Sequence, residues 1–303
     1  MNKISGLCLI SCLLLCGRAM VAQDHPAEPS GAVMPAPKVL VIQREWVKPG
    51  RSGSMHDKSE AAFVNAMKAA KWPTHYLAAE AMSGRPRVLF MIGYPSFDAW
   101  EKDNDAMEKN SMLTTAFEKA SYNDADLLNS YDSGVFSLDA ENSLRPGDGV
   151  HARYFEITHF RVKPGHRREF MEAVKLYRDA YDKAVPDAHW ALYSSAYGEN
   201  NGGDYLVIST VKSLGEDDAD EANSKKLREA LGPDGMKRAE ELTSTCLESS
   251  ESNLYHINPK MSYAADTWMK ADDFWKPKPS SPNANVKLNQ GTAKKADAMA
   301  SNQ

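Results

Sequence analysis

The sequence carries one short pattern twice, and this internal repeat constrains the fold more than any other feature. Two strand-like segments, 41–47 and 155–162, each run into a Lys-Pro-Gly turn, and the turn lysines Lys48 and Lys163 lie 115 residues apart. A helical stretch follows each turn, and then a histidine followed by an aromatic residue, His75-Tyr76 in one copy and His189-Trp190 in the other. A fixed internal period predicts two copies of one structural unit in tandem.

Each copy predicts the element order βαββαβ, the ferredoxin-like arrangement, in which helices cover one face of a four-stranded antiparallel sheet. The uncovered faces of two such sheets can bury each other. The sequence therefore predicts an α+β fold in which two ferredoxin-like units, residues 38–144 and 145–263, pack into an intramolecular α/β barrel. The 303 residues are enough for both units, and we expect a monomer that is a pseudo-dimer.

The segments outside the repeats predict export. A positive Lys3 precedes an apolar run that ends near Cys16, and small residues follow up to Ala22, which is typical of a signal peptide over residues 1–22. An uncleaved anchor and a lipoprotein cleaved before Cys12 are the alternatives. We interpret residues 23–37 as a flexible leader and 264–303 as a mostly disordered tail. The protein is then periplasmic or secreted, with no membrane contact after cleavage.

Composition excludes some partners. The formal charge is −5 and no basic cluster is present, so we expect no nucleic-acid binding. Three of the four cysteines lie in the predicted signal peptide, which leaves Cys246 without an intramolecular partner. Its helical context favours a small buried side chain over a nucleophile.

The second opening strand also resembles a known family. The segment Phe155-Glu-Ile-Thr-His-Phe-Arg-Val-Lys-Pro-Gly165 resembles the start of NIPSNAP-type domains, which belong with the antibiotic-biosynthesis monooxygenase-like domains to the dimeric α/β-barrel superfamily. The arginine usual in that motif is replaced by Thr158 here and by Gln43 in the first copy. The resemblance implies the barrel fold, with cofactor-poor oxygenase or haem-handling activity as the enzymatic alternative.

Alternation along the opening strands divides their side chains between two faces. Leu40, Ile42, Phe155 and Ile157 share one face, which we expect to meet the helices. The other face is expected to point into the barrel and supplies candidate ligand-binding residues: Gln43, Glu45, Glu156, Thr158 and Phe160.

Three histidines complete the candidate set. His75 and His189 begin the second strand of each copy, and His159 matches Arg44 in the opening strands. Histidine can serve in acid–base chemistry or ligate a metal, but duplication of a structural residue explains the matched pairs more simply, and we prefer that interpretation. Because the spacing fits no metal motif, we predict no metal and no resident cofactor, with haem as an alternative.

Motifs for nucleophilic or nucleotide chemistry are missing from the sequence, and the catalytic residues are therefore unknown. The leading hypothesis is an exported protein that binds a small, partly apolar molecule between the two sheets. An enzyme of the oxygenase or haem-handling kind and an envelope scaffold protein are the alternatives, and the sequence leaves open whether the protein is an enzyme.

Overall fold

The computed structural model describes residues 34–198 and 203–277. Eight antiparallel strands close into a barrel in the order β1-β3-β2-β8-β5-β7-β6-β4. Their bounds are β1 Val39–Val47, β2 Tyr76–Ala81, β3 Arg87–Tyr94, β4 Leu128–Leu144, β5 Tyr154–Val162, β6 Trp190–Tyr197, β7 Asp204–Val211 and β8 Leu247–Ile257.

The two halves of the chain occupy opposite halves of the barrel. The first contributes the neighbours β4-β1-β3-β2 and the second contributes β8-β5-β7-β6. Four antiparallel pairings separate β1 from β5 around the ring, so these two strands run in the same direction. Their carboxyl ends therefore lie at the same end of the barrel.

Helices cover the outside of the barrel. They are α1 Ser54–Ala70, α2 Phe97–Glu108, α3 Ser111–Asp124, α4 Arg167–Ala184, α5 Asp220–Cys246 and α6 Asp266–Ala271. The side chains of Ser96 and Asn110 accept backbone N–H bonds at the starts of α2 and α3, as expected of good N-cap residues. Within α5 the chain kinks at Gly232 and Pro233, because proline breaks the helical hydrogen-bond ladder.

The barrel interior is packed with apolar side chains from all eight strands. Leu40 and Ile42 of β1 contact the same core as Phe155 and Ile157 of β5. The expectation that these four side chains meet the helices is wrong. A closed barrel of eight strands is just wide enough for its inward side chains to fill it, and these four apolar side chains are among those that fill it.

The outer face of each half packs against its own helices. In the first half, Tyr76, Val88 and Phe90 of the sheet pack against Val64 and Met67 of α1. In the second half, Phe170 of α4 packs with Phe160, Leu192 and Tyr205. Cys246 belongs to this second cluster and is buried, which confirms its prediction as a small core residue.

A short C-terminal segment covers the end of the barrel at which β1 and β5 begin. Trp275 is 2% exposed, donates its indole N–H to the carbonyl of Val150 at 2.8 Å, and contacts Trp268 and Phe274. The start of the predicted tail, residues 264–277, thus contains α6 and aromatic side chains that pack on the barrel core. We call this end of the barrel the closed end.

The part of the chain that the structure describes contains no helix with the length and apolar character of a membrane span. The predicted signal peptide, residues 23–33 of the predicted leader and residues 278–303 of the predicted tail lie outside the described residues.

Candidate functional site

The opposite end of the barrel is lined by charged and aromatic side chains. β1 and β5 end there. The last residue pair between β1 and β3 is Trp46 with Arg87, and the last between β5 and β7 is Arg161 with Asp204. We call this the arginine end. Its inward-facing residues include Arg44, Trp46, Arg87, Asp132, His159, Arg161, Asp204, Glu251, Asn253 and Tyr255.

One carboxylate at this end is shared between two neighbours. Asp132 of β4 pairs with the guanidinium of Arg44 and accepts the indole N–H of Trp46 at 2.9 Å. Each Asp132 oxygen therefore has a donor, and the charge of Arg44 is compensated within the protein. This arrangement also fixes the ring of Trp46 at the rim of the barrel.

Arg87 lies in a different environment. It is 9% exposed, and its Nε donates to the hydroxyl of Tyr255 at 2.8 Å, while its Nη1 donates to the carbonyl of Arg85 at 3.1 Å. Nη2 also donates to Tyr255. Within residues 34–198 and 203–277, no carboxylate forms an ion pair with this guanidinium. Each of its three nitrogens thus has an acceptor, but its buried charge, which is costly unless it is paired, has no counter-ion among the described residues.

Aromatic rings surround these cations. The guanidinium of Arg85 lies 4.3 Å from the centroid of Trp46, and that of Arg87 lies 5.3 Å from Trp46 and 5.1 Å from Tyr255. Burial raises the pKa of Tyr255, although the charge and hydrogen bonds of Arg87 oppose that shift. Tyr255 therefore stays a neutral phenol at neutral pH and cannot serve as the counter-ion of Arg87.

The second half contributes its own charged group to this end. Asp204, fully buried, lies 2.6 Å from His159 Nε2 and 3.4 Å from Arg161 Nε through its Oδ1. Its Oδ2 has no hydrogen-bond partner among the described residues. His159, a sequence candidate, thus faces the barrel, where Asp204 holds its ring.

The other opening-strand candidates lie on the outer face. Gln43 and Glu45 share the face that carries the first-half helices, because the residues they pair with, Phe90 and Val88, belong to the cluster packed on α1. Glu156 is exposed, Thr158 bonds the hydroxyl of Ser252 at 2.7 Å, and Phe160 packs on Phe170 of α4. The prediction that these five residues point into the barrel is wrong, because the alternate positions of the same strands, which include Leu40, Ile42, Phe155 and Ile157, face the interior.

His75 and His189 lie at the closed end, far along the strands from His159. His75 stacks on Tyr263 with ring centroids 4.6 Å apart. His189 contacts the carbonyl of Asp187 at 2.8 Å and that of Thr210 at 2.7 Å. The structure therefore does not bring the three histidines together.

Glu45 belongs to a second polar cluster, under α1, with His56, Glu60 and Asp124, and all four are buried. Burial, together with the charges of Glu45 and Asp124, raises the pKa of Glu60 to about 10. Burial also raises the pKa of Glu45, against its hydrogen bond to His56. Burial lowers the pKa of His56, but Glu45 and Asp124 outweigh it and raise the net value. These four residues are the group in the described part of the chain that could hold a metal ion.

Sequence reasoning missed Arg87 and Tyr255. They lie 168 positions apart, and no local spacing relates them. One signal was available: Arg87 opens a nearly continuous apolar strand, 88–92, and a strand of that kind is buried on both faces. An arginine at its start lies at the rim of a core.

No protein-family model and no curated protein matches the sequence. Solved structures with a similar fold include a candidate monooxygenase from Fusobacterium nucleatum (13% identity, TM-score 0.48, covering 74% of this chain and 94% of that one). Another is an anthrone oxidase-like protein (12%, TM-score 0.46, 75% and 94%). A third is a mutant chlorite dismutase from Candidatus Nitrospira defluvii in complex with cyanide (10%, TM-score 0.42, 78% and 95%).

At these identities and TM-scores the similarities carry neither a family nor a reaction over to this chain. The resemblance to NIPSNAP-type domains and the oxygenase or haem-handling alternative stay predictions.

Proposed function

We propose that this chain is a small-molecule-binding protein that holds an organic anion at the arginine end of its barrel. The observation that carries the proposal is the buried guanidinium of Arg87, whose partners among the described residues are a phenol and a carbonyl but no carboxylate. A ligand carboxylate or phosphate would supply the missing counter-charge, and charge-assisted bonds to arginine are among the strongest in proteins.

The side chains around Arg87 indicate the chemical character of the rest of the ligand. Trp46 presents an aromatic surface beside Arg85 and Arg87, and the apolar core begins one layer deeper at Leu89. Pockets for small molecules combine such apolar surfaces with a few placed polar groups. We therefore expect an anion with an aromatic or otherwise apolar body, in agreement with the partly apolar ligand expected from the sequence.

The strand order supports the architecture that this function needs. We interpret β4-β1-β3-β2 and β8-β5-β7-β6 as two ferredoxin-like units, so that one chain completes the barrel by itself. Binding by a monomer follows from this interpretation. Export to the periplasm or beyond stays a prediction.

Benzoate and phenyl phosphate are suitable probes, with benzyl alcohol as the neutral control. We expect both anions to raise the melting temperature of the full chain and to bind in isothermal titration, whereas benzyl alcohol does neither. Arg87→Gln should weaken binding by about tenfold or more, since it removes a charge-assisted contact.

Arg153→Gln is the matched control, because Arg153 is an arginine of the closed end that already has a carboxylate partner, Asp272. It should leave anion binding unchanged. Equal binding of benzyl alcohol, or unchanged affinity in Arg87→Gln, would contradict the proposal.

A further inference from the structure

Four ionisable side chains from three elements meet in a buried layer between the barrel and its first-half helices. Glu45 comes from β1, His56 and Glu60 from consecutive turns of α1, and Asp124 from the last residue of α3. Their exposed fractions are 7%, 0%, 3% and 1%. One ligand atom from each lies within 4.8 Å of all the others.

His56 Nε2 lies at the centre of the group. It is 2.9 Å from Glu45 Oε2, 3.7 Å from Glu60 Oε1 and 3.7 Å from Asp124 Oδ1. Positions i and i+4 place His56 and Glu60 on one face of α1. A single point among the four side chains is therefore within reach of one nitrogen and three carboxylates.

The protein does not supply enough donors for these acceptors. Glu60 Oε1 and both oxygens of Asp124 have no hydrogen-bond partner among the described residues, and neither has His56 Nδ1. Apart from His56, no basic residue in the described part of the chain forms an ion pair with the three carboxylates. Buried polar atoms are almost always paired in native proteins, so several orphaned oxygens aimed at one another indicate a missing positive partner.

The second half shows that the fold itself does not require this cluster. Phe160 stands three residues before Lys163, as Glu45 stands three residues before Lys48. In that half the layer is aromatic: Phe160 and Phe170 lie 5.7 Å apart, and Phe170 and Tyr205 lie 4.5 Å apart. The same position can therefore be filled by ordinary apolar packing.

We propose that Glu45, His56, Glu60 and Asp124 bind one divalent transition-metal ion, which fastens α1 and the end of α3 to β1. Three carboxylate oxygens with one imidazole nitrogen form a hard, mixed donor set that suits Mn²⁺, Fe²⁺ or Zn²⁺. Because the site is buried, the ion has a structural role. This proposal departs from the prediction that the protein has no metal, which rested on sequence spacing alone.

Mn²⁺ is the probe for the test, added to the full chain after treatment with EDTA. Loss of the free-ion signal in electron paramagnetic resonance counts the bound equivalents, and thermal unfolding measures their effect. We expect one equivalent per chain and a rise in melting temperature of roughly 5–10 °C at a metal concentration about 100 times Kd.

Asp124→Asn should abolish both effects. Asp103→Asn is the matched control, since Asp103 is a partly buried carboxylate of the same half that accepts bonds from Trp72, Thr74 and Tyr94. It should keep the bound equivalent. If Asp124→Asn does not fold, Glu60→Gln replaces it as the test variant.

No bound Mn²⁺ in the wild-type chain, together with no thermal shift on adding Fe²⁺ or Zn²⁺, overturns the proposal. Equal binding in wild type and in the folded ligand variant also overturns it.

Discussion

Each end of the barrel contains a partly or fully buried arginine, and the two arginines have different partners. At the closed end, Arg153 donates to Asp272 at 2.6 Å and lies over the ring of Phe274, so its charge is balanced inside the chain. At the arginine end, Arg87 is more deeply buried, and its partners are the neutral Tyr255 and a backbone carbonyl. The contrast shows that the arginine charge is balanced by a carboxylate at one end and not, among the described residues, at the other, which is why we propose an anion site there.

The largest expected effect tests the closed end. Trp275→Ala removes a fully packed indole and its bond to Val150, so the free energy of unfolding should fall by about 3–5 kcal/mol. Urea denaturation measures it. Tyr122→Ala, at a side chain that is 83% exposed, is the control and should change stability by less than about 0.5 kcal/mol. A similar small loss in Trp275→Ala would mean that this segment does not close the barrel.

The two arginines should respond differently to the loss of their charge. Arg153→Gln leaves Asp272 without its partner and should lower the free energy of unfolding by about 1–2 kcal/mol. Arg87→Gln removes a charge that has no carboxylate partner in the described residues, and in the ligand-free protein its cost should be the smaller of the two. Denaturation of both variants in a dilute, anion-poor buffer makes the comparison. A larger loss of unfolding free energy in Arg87→Gln than in Arg153→Gln would contradict the contrast between the two ends.

Acid should weaken the closed end in a defined pH range. Burial would raise the pKa of Asp272, but the N–H of Phe274 and the guanidinium of Arg153 outweigh it, so the folded pKa lies below its ordinary value. A carboxyl with a lowered folded pKa stabilises the fold above its unfolded pKa, about 3.9, and loses that contribution as the pH falls through the folded pKa.

Asp272→Asn should therefore be less stable than wild type by about 1 kcal/mol at pH 7, with the difference disappearing in strong acid. Unfolding curves measured from strong acid up to neutral pH would show this. A difference that is independent of pH would contradict the assigned role of the Asp272 charge.

The smallest expected effect concerns the outer face. Glu156→Ala combined with Gln43→Ala changes two side chains that the sequence assigned to the ligand and that lie on the helix side of the barrel. Benzoate affinity in isothermal titration should stay within error of wild type. A loss comparable to that of Arg87→Gln would place the ligand on the outer face instead.

Much of the fold could be predicted because it depends on local patterns. The Lys-Pro-Gly turns, the alternating strands and the helical spacing gave the order of the elements in both halves, and the barrel followed from the need to bury two sheet faces. Alternation defines two sets of side chains, but it does not say which set is inside. We assigned the polar set to the ligand-binding interior, but in the closed barrel the interior is occupied by apolar side chains such as Leu40 and Ile42.

The sites could be predicted far less well because their members are distant in sequence. Asp124 comes 79 positions after Glu45, and Tyr255 comes 168 after Arg87. His56 and Glu60 share a helical face, but that pair alone is common on solvated helices. The burial of all four members, which the sequence does not show, is what distinguishes the cluster.

The most direct test of the central claim, that an anion binds at the arginine end, is a crystal structure of the full chain with 4-bromobenzoate, using the anomalous signal of bromine. We predict a bromine peak beside Trp46, with the carboxylate bonded to the guanidinium of Arg87. Density for the ligand at another site, with the surroundings of Arg87 unchanged, would contradict the account.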